Sequence, residues 1–528
     1  MTKTIRPARA RDVSRRKFLG TSAAAGLAAA GVTTGLMPRA ARAEPKRGGS
    51  VRAAFGHGST SDTLDPGNWE NDFTIGMAYA YSGYLTGVAR DGSLEPQLAE
   101  SWEATPDAAT WRFKLRQGVT FHSGRDFTPE DVINSVNFHR GEDSTSAAKP
   151  LLAGITDMAV DGDSVVFTLA GGNADFPFTF TDYHIPMLPP GDDRGVDFRS
   201  KDGLGPYKLA EFEPGVRAKF VKNGNDWDGN RGFFDEVEVL AVIDANARTS
   251  ALVSGDVQMI DRLDLKTVGL MARNPGIKVH SVAGNQHYTF PMLCDVDPYT
   301  NNNIRRAVKY AVKRQELVDK ILFGFGSLGN DHPIGSGQRF FNADLPQTEY
   351  DPDKAKFYLK EAGLDSIDLV LDIADAAFAG AVDAGVLYQN SAAECGINIK
   401  VNRVPNDGYW SDIWLKSPWC GSYWGGRPVE DAMFTTVYSK GASWNESHWA
   451  NDRFEELLVA ARSELDETKR RNMYYEMQLI LNEDGGSVIP MFANYVFATG
   501  PGIDTNGDDF STHWDKDGHR WMERWSVA

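Results

Sequence analysis

Between Tyr423 and Asp431 the sequence reads YWGGRPVED, which brings two rings, two glycines, one arginine and two acids into one short stretch. The planar fork of Arg427 can bond both oxygens of a carboxylate at once. An acid on the same loop, Glu430 or Asp431, can receive an ammonium group, and the neighbouring cation helps keep it ionised. Tyr423 and Trp424 supply faces for the apolar part of a ligand, and Gly425 and Gly426 allow close approach of backbone. The combination suits a pocket for a zwitterion. The plainer expectation is a solvated pair between Arg427 and an acid, worth only ~0–1 kcal/mol.

Aromatic density extends this stretch. Six of the thirteen tryptophans fall between Trp410 and Trp449, among Gly, Pro, Asn and Ser rather than at helical or alternating spacing. That setting suits loops lining a cleft. Trp410, Trp419 and Trp444 therefore join Trp424 as candidate ligand contacts, although a core role is the commoner use of any one tryptophan. Ser59 and Thr60, in the Gly/Ser/Thr loop His57–Thr63, complete the candidate set.

Chemistry beyond binding finds no support. GFGSLG (Gly324–Gly329) matches the dinucleotide fingerprint, but it follows a helical pattern instead of a strand and leads into NDHPIG. It reads as a glycine-rich helix exit. A nucleophile elbow, a P-loop and an HExxH motif are all lacking, and the ten histidines have no ligand-like spacing. Neither a cofactor nor a metal is expected.

The elements that must position these residues fall into two textures. The first half is strand-rich: Thr110–Arg116 alternates cleanly, and Val160–Leu169 reads as an Asp-Gly hairpin. A helix follows Thr128, with Pro129 at its first position and Asp131 three residues past the cap. In the second half Asn301–Gly324 carries one apolar helical face, and Tyr350–Gly363 opens on Asp-Pro and ends on Gly. Ile367–Ile373, Ala377–Ala393 and Ile397–Val404 form a strand–helix–strand pattern, implying parallel strands. Two more helical patterns, 452–465 and 468–482, precede a last strand at Val488–Phe492.

At 528 residues, 41% hydrophobic and 24% charged, the chain reads as globular with two or more large lobes. Residues 1–43 differ. They hold nine Lys and Arg against Asp12 alone, then a weakly apolar Ala/Gly stretch, then Ala41–Arg42–Ala43. This is the layout of an export signal cut after Ala43, and the paired arginines of Ser14–Gly20 (SRRKFLG) resemble the twin-arginine type. Cleavage takes the net charge from −17 to about −25, which argues against nucleic acid and anionic lipid as partners. Three scattered cysteines allow at most one disulfide, and Cys395 is expected as a buried thiol.

Six blocks in order resemble the extracellular solute-binding proteins of family 5, the peptide-binding class of ABC importers: Leu64–Trp69, Gly92–Ser135, Gly203–Leu209, Ile304–Asp319, Tyr350–Leu364 and Val488–Phe492. The resemblance implies an α/β fold of two lobes joined by a hinge, with an extra strand-rich subdomain in the first lobe. The limits expected are 1–43 for the signal, 44–290 for the first lobe with its subdomain near 77–190, 291–494 for the second lobe, and 495–528 returning to the first. It also implies that Tyr423–Phe434 faces the cleft and that an acid there receives the ligand's α-amino group. Arg427 departs from the family's common pattern.

The function expected is capture of a peptide or amino-acid-like zwitterion for delivery to an inner-membrane permease, by a periplasmic monomer. An oligosaccharide, opine or glycoconjugate receptor of the same fold is the alternative, and a secreted hydrolase is disfavoured.

Overall fold

The computed structural model describes residues 44–528 apart from 70, 407, 408 and 443; the expected export signal lies outside the described residues. The first lobe is built on a seven-stranded sheet in the order 278–282, 495–499, 259–260, 50–55, 236–241, 217–222, 207–213. Ser50–Phe55 runs parallel to both Glu236–Ala241 and Met259–Ile260, and the outer pairs are antiparallel. A strand with neighbours on both sides must be apolar along its buried positions. Val51, Ala53, Ala54 and Phe55 are accordingly buried, with Trp69, Trp521 and Trp525 packed in the same layer.

A second antiparallel sheet, 99–104, 110–115, 164–169 and 155–161, forms the strand-rich subdomain. The alternation of Thr110–Leu115 turns Trp111, Phe113 and Leu115 inward. Phe113 meets Phe167, Phe176 and Phe180 edge-on, with ring centres 5.2–6.1 Å apart. The helix Pro129–Phe138 begins with the expected reciprocal cap between Thr128 and Asp131.

The second lobe holds the antiparallel sheet 326–328, 487–493, 287–291, 422–424 and the parallel pair Ile367–Ile373 and Ile397–Arg403 joined by the helix Ala381–Ala393. The parallel strand–helix–strand unit stands as the pattern indicates. Asn301–Gly324 does not form one helix. It folds as Asn302–Tyr310 and Arg314–Lys320, broken at Ala311–Lys313. The apolar face survives the break because Ile304, Ala307, Val308, Val318 and Leu322 all enter one core. Gly326–Leu328, inside the GFGSLG motif, is a short edge strand. All three cysteines are free, and Cys395 is buried.

The chain passes from the first sheet to the second between Val282 and His287, and back between Ala493 and Tyr495. The first passage thus precedes residue 287, because His287–Pro291 pairs wholly within the second-lobe sheet.

The C-terminal segment returns to the first lobe through a left-handed stretch, with positive φ at Lys516, Asp517 and His519. There the fully buried Lys516 ammonium lies 2.8 Å from Asp515, 3.2 Å from Asp261 and 3.9 Å from Asp72. Burial opposes its charge, but the three carboxylates outweigh that and hold it above the ordinary lysine range.

Candidate functional site

The strand Ser422–Trp424 pairs antiparallel with His287–Pro291, setting Tyr423 opposite Tyr288 and Trp424 opposite His287. Alternation buries Ser422 and Trp424 and leaves Tyr423 42% exposed. Tyr423 meets the 40% exposed Trp410 at 5.6 Å, and Tyr288 stacks on Phe378 at 4.1 Å. This aromatic face looks toward the first lobe, whose Arg262 acts electrostatically on Tyr288.

After the strand the backbone turns against the first lobe. A Cβ on Gly426 would sit 2.9 Å from the His513 carbonyl oxygen and 3.0 Å from Asn285 Cβ, so only glycine fits without movement. Gly425 has open space around it. The next residue, Arg427, donates to the Gly426 carbonyl at 3.1 Å and forms no ion pair with an acid among the described residues. Burial pulls its guanidinium below the usual arginine range, while Tyr183, Asp182 and Tyr495 act in the opposite direction. Two of those three, Asp182 and Tyr183, belong to the first lobe, where Tyr183 packs against the core of the seven-stranded sheet. Burial also pushes His513 down to about 3 and His287 to about 4, so both are neutral near pH 7. Arg427 is a half-buried cation in this part of the cleft with no carboxylate partner among the described residues.

The other expected residues divide sharply. Glu430 is 3% exposed and turned into the second lobe, where it accepts the Phe340 N–H at 2.7 Å. Asp431 pairs with Arg462 at 3.0 Å, and Arg462 also bonds Thr435 Oγ1. Both acids are thus engaged within their own lobe. Trp419 is fully buried against Tyr299 and Tyr388, and Trp424 is core. Aromatic density misleads at these two positions because bridging to Met292 and pairing in the sheet turn them inward. Trp444, at 47% exposure, extends the surface rings through Trp414 at 6.3 Å. Ser59 and Thr60 form a self-contained turn: Ser59 N donates to Asp62, and the turn packs against Gly215.

Several cleft features carry no local sequence mark. The lobes touch where the Ala174 N–H donates to the Arg462 carbonyl at 2.6 Å. Beside that bond Asp175 forms a two-pronged ion pair with Arg470, one contact being 2.7 Å, with side chains 7% and 3% exposed. Val88 and Phe178 of the first lobe pack on Val429 of the second. A cavity of about 20 Å³ remains, lined by Tyr79, Tyr84, Thr86, Thr181, His513 and Arg520. That is room for about one water, and all of these lining residues belong to the first lobe.

Two lobes that close over a lined cleft describe a receptor for a small solute. The family model for bacterial extracellular solute-binding proteins, family 5, matches residues 93–446. The chain belongs to this family. The dipeptide-binding protein of Escherichia coli K12 is 24% identical over 436 residues, which cover 75% of this chain and 80% of that protein. The di/tripeptide-binding protein 2 of Pseudomonas aeruginosa UCBPP-PA14 is 24% identical over 463 residues, covering 80% and 85%. Among solved structures, the periplasmic binding protein DppA from Helicobacter pylori, in complex with the peptide STSA, shares the fold with a TM-score of 0.75. Its identity is 21%, over 91% of this chain and 98% of that one. This family 5 protein is a periplasmic, non-catalytic solute receptor of an ABC import system, and it hands its ligand to a membrane permease.

Proposed function

We propose that this family 5 receptor captures a peptide or amino-acid-like zwitterion, with Arg427 holding the ligand's carboxylate. The observation that carries the reading is a half-buried, largely desolvated guanidinium in the cleft that lacks an acidic partner among the described residues. A buried charge is costly unless paired, and a ligand carboxylate arriving on lobe closure supplies the partner. The names of the dipeptide- and di/tripeptide-binding relatives agree with this ligand class. Tyr423 and Trp410, both exposed and meeting edge-to-face, would cover the apolar part.

The exposed rings also favour one alternative, an opine or oligosaccharide whose rings stack on Trp410, Tyr423 and Trp444. Native mass spectrometry of the purified protein would give the mass of a co-purified solute. Calorimetry of Arg427→Ala with that solute then tests the clamp. Loss of a buried charge partner costs ~2–5 kcal/mol, or thirtyfold and more in Kd. A change within threefold would remove Arg427 from the site. We further propose that the protein acts as a monomer and is exported by the twin-arginine route. In this reading the first lobe takes residues 44–286 and 495–528, and the second takes 287–494.

A further inference from the structure

The zwitterion reading leaves the cationic end of the ligand unassigned, since Glu430 and Asp431 are both engaged. Asp182 is the acid whose charge acts on Arg427, and it comes from the opposite lobe. Its loop is built to hold it still. The Tyr79 hydroxyl donates to the carbonyl before it, Thr181 O, at 2.8 Å, and the Tyr84 hydroxyl donates to the carbonyl after it, Tyr183 O, at 3.0 Å. The Ile185 N–H closes the turn on the Asp182 carbonyl.

The carboxylate itself is half used. Both donors it receives, the His184 N–H at 2.9 Å and His184 Nδ1 at 2.7 Å, go to Oδ1. His184 Nε2 in turn lies 2.9 Å from the Trp69 carbonyl. These contacts at its two ring nitrogens fix the ring, and the ring in turn fixes the carboxylate. Oδ2 receives no hydrogen bond among the described residues. Burial disfavours the charge on Asp182, but His184 outweighs it and Arg427 adds to the effect, so the carboxyl stays below its ordinary range. An ionised, oriented carboxylate with one oxygen unused thus stands across the gap from an unpaired guanidinium, beside the cavity that Thr181 lines.

We propose that Asp182 receives the cationic group of the solute, so that the two charges of a zwitterion are held by different lobes. This rests on the reading of Arg427 as the carboxylate holder. Such a ligand bridges the lobes through both ends, and a molecule with only one charge engages only one lobe. The site therefore selects zwitterions against N-acylated and C-amidated analogues, and it links selection to closure.

The test uses alanine peptides of two to five residues, each free, N-acetylated and C-amidated, scored by thermal shift and then by calorimetry. The result expected is that at least one free peptide raises Tm, and that acetylation or amidation weakens its Kd at least ~30-fold. Asp182→Asn should lose the response to the free peptide, and Asp182→Glu should keep part of it, with circular dichroism showing both variants folded. Equal binding of the acetylated and free peptide overturns the role of Asp182 and leaves Arg427 standing. Equal binding of the amide overturns the Arg427 reading instead. If no peptide raises Tm, both fall.

Discussion

The Asp175–Arg470 pair offers the sharpest perturbation of lobe closure. Asp175→Asn keeps the shape of the side chain and removes the charge that Arg470 faces on closing. In the closed arrangement Arg470 is 3% exposed and donates elsewhere only to the Ala461 carbonyl and weakly to Tyr474. Breaking such a pair leaves a buried charge uncompensated, at a cost of ~3–5 kcal/mol. When the lobes part, water reaches the guanidinium and the cost disappears, so nearly all of it falls on the closed state. At about 1.4 kcal/mol per tenfold, the closed-to-open ratio should fall by ~100-fold or more. The Ala174–Arg462 bond and the Val88, Phe178 and Val429 contact remain and offset part of this. Small-angle scattering of the ligand-free protein should show a larger radius of gyration in the variant. The co-purified solute should also dissociate faster, because apparent affinity scales with the closed fraction. If both the radius and the off-rate match wild type, the pair does not govern closure.

Four other outcomes are expected. Burial pushes Glu430 up to about 7 from about 4.5, so the native state binds the extra proton and stability falls as pH rises through that window, by at most ~3 kcal/mol; denaturant titrations of Glu430→Gln should lose this slope. Gly426→Ala should hold the lobes apart by pressing a methyl on His513 and Asn285, raising the radius of gyration of the solute-bound form while leaving Tm of the free protein little changed. Trp419→Ala empties a fully buried site and should cost ~3–5 kcal/mol by chemical denaturation, whereas Trp410→Ala, on a 40% exposed ring, should stay within about 1 kcal/mol. Replacing Arg15 and Arg16 with Lys should leave precursor in the cytoplasm, and mature periplasmic protein from that variant would reject the twin-arginine route.

Local rules made much of the scaffold legible. The Thr128–Asp131 cap, the Asp-Gly hairpin at Gly162 and the parallel unit around Ala381–Ala393 each follow from a few neighbouring residues. The break at Ala311–Lys313 was hidden because apolar spacing continues through it into the same core. Arg427 could be singled out because it stands beside glycines and rings, but its neighbours Glu430 and Asp431 could not be sorted. Their roles depend on Phe340 and Arg462, which the fold brings in from elsewhere in the second lobe. Asp182 was the hardest to see. Nothing in Thr181–Ile185 marks it, and its meaning arises only when one lobe is laid against the other.

The ammonium of Lys516, set among Asp72, Asp261 and Asp515, has a consequence for the conditions under which this receptor works. Three carboxylates this close are the kind of ligand set that recruits a hard divalent ion. Here the counter-charge is covalently part of the chain, so its local concentration is fixed by geometry and not by the medium. In a compartment whose calcium and magnesium follow the surroundings, the first lobe should keep the same shape in soft water, hard water or chelator. At this cluster the tethered cation takes the place that a dissolved ion would otherwise fill.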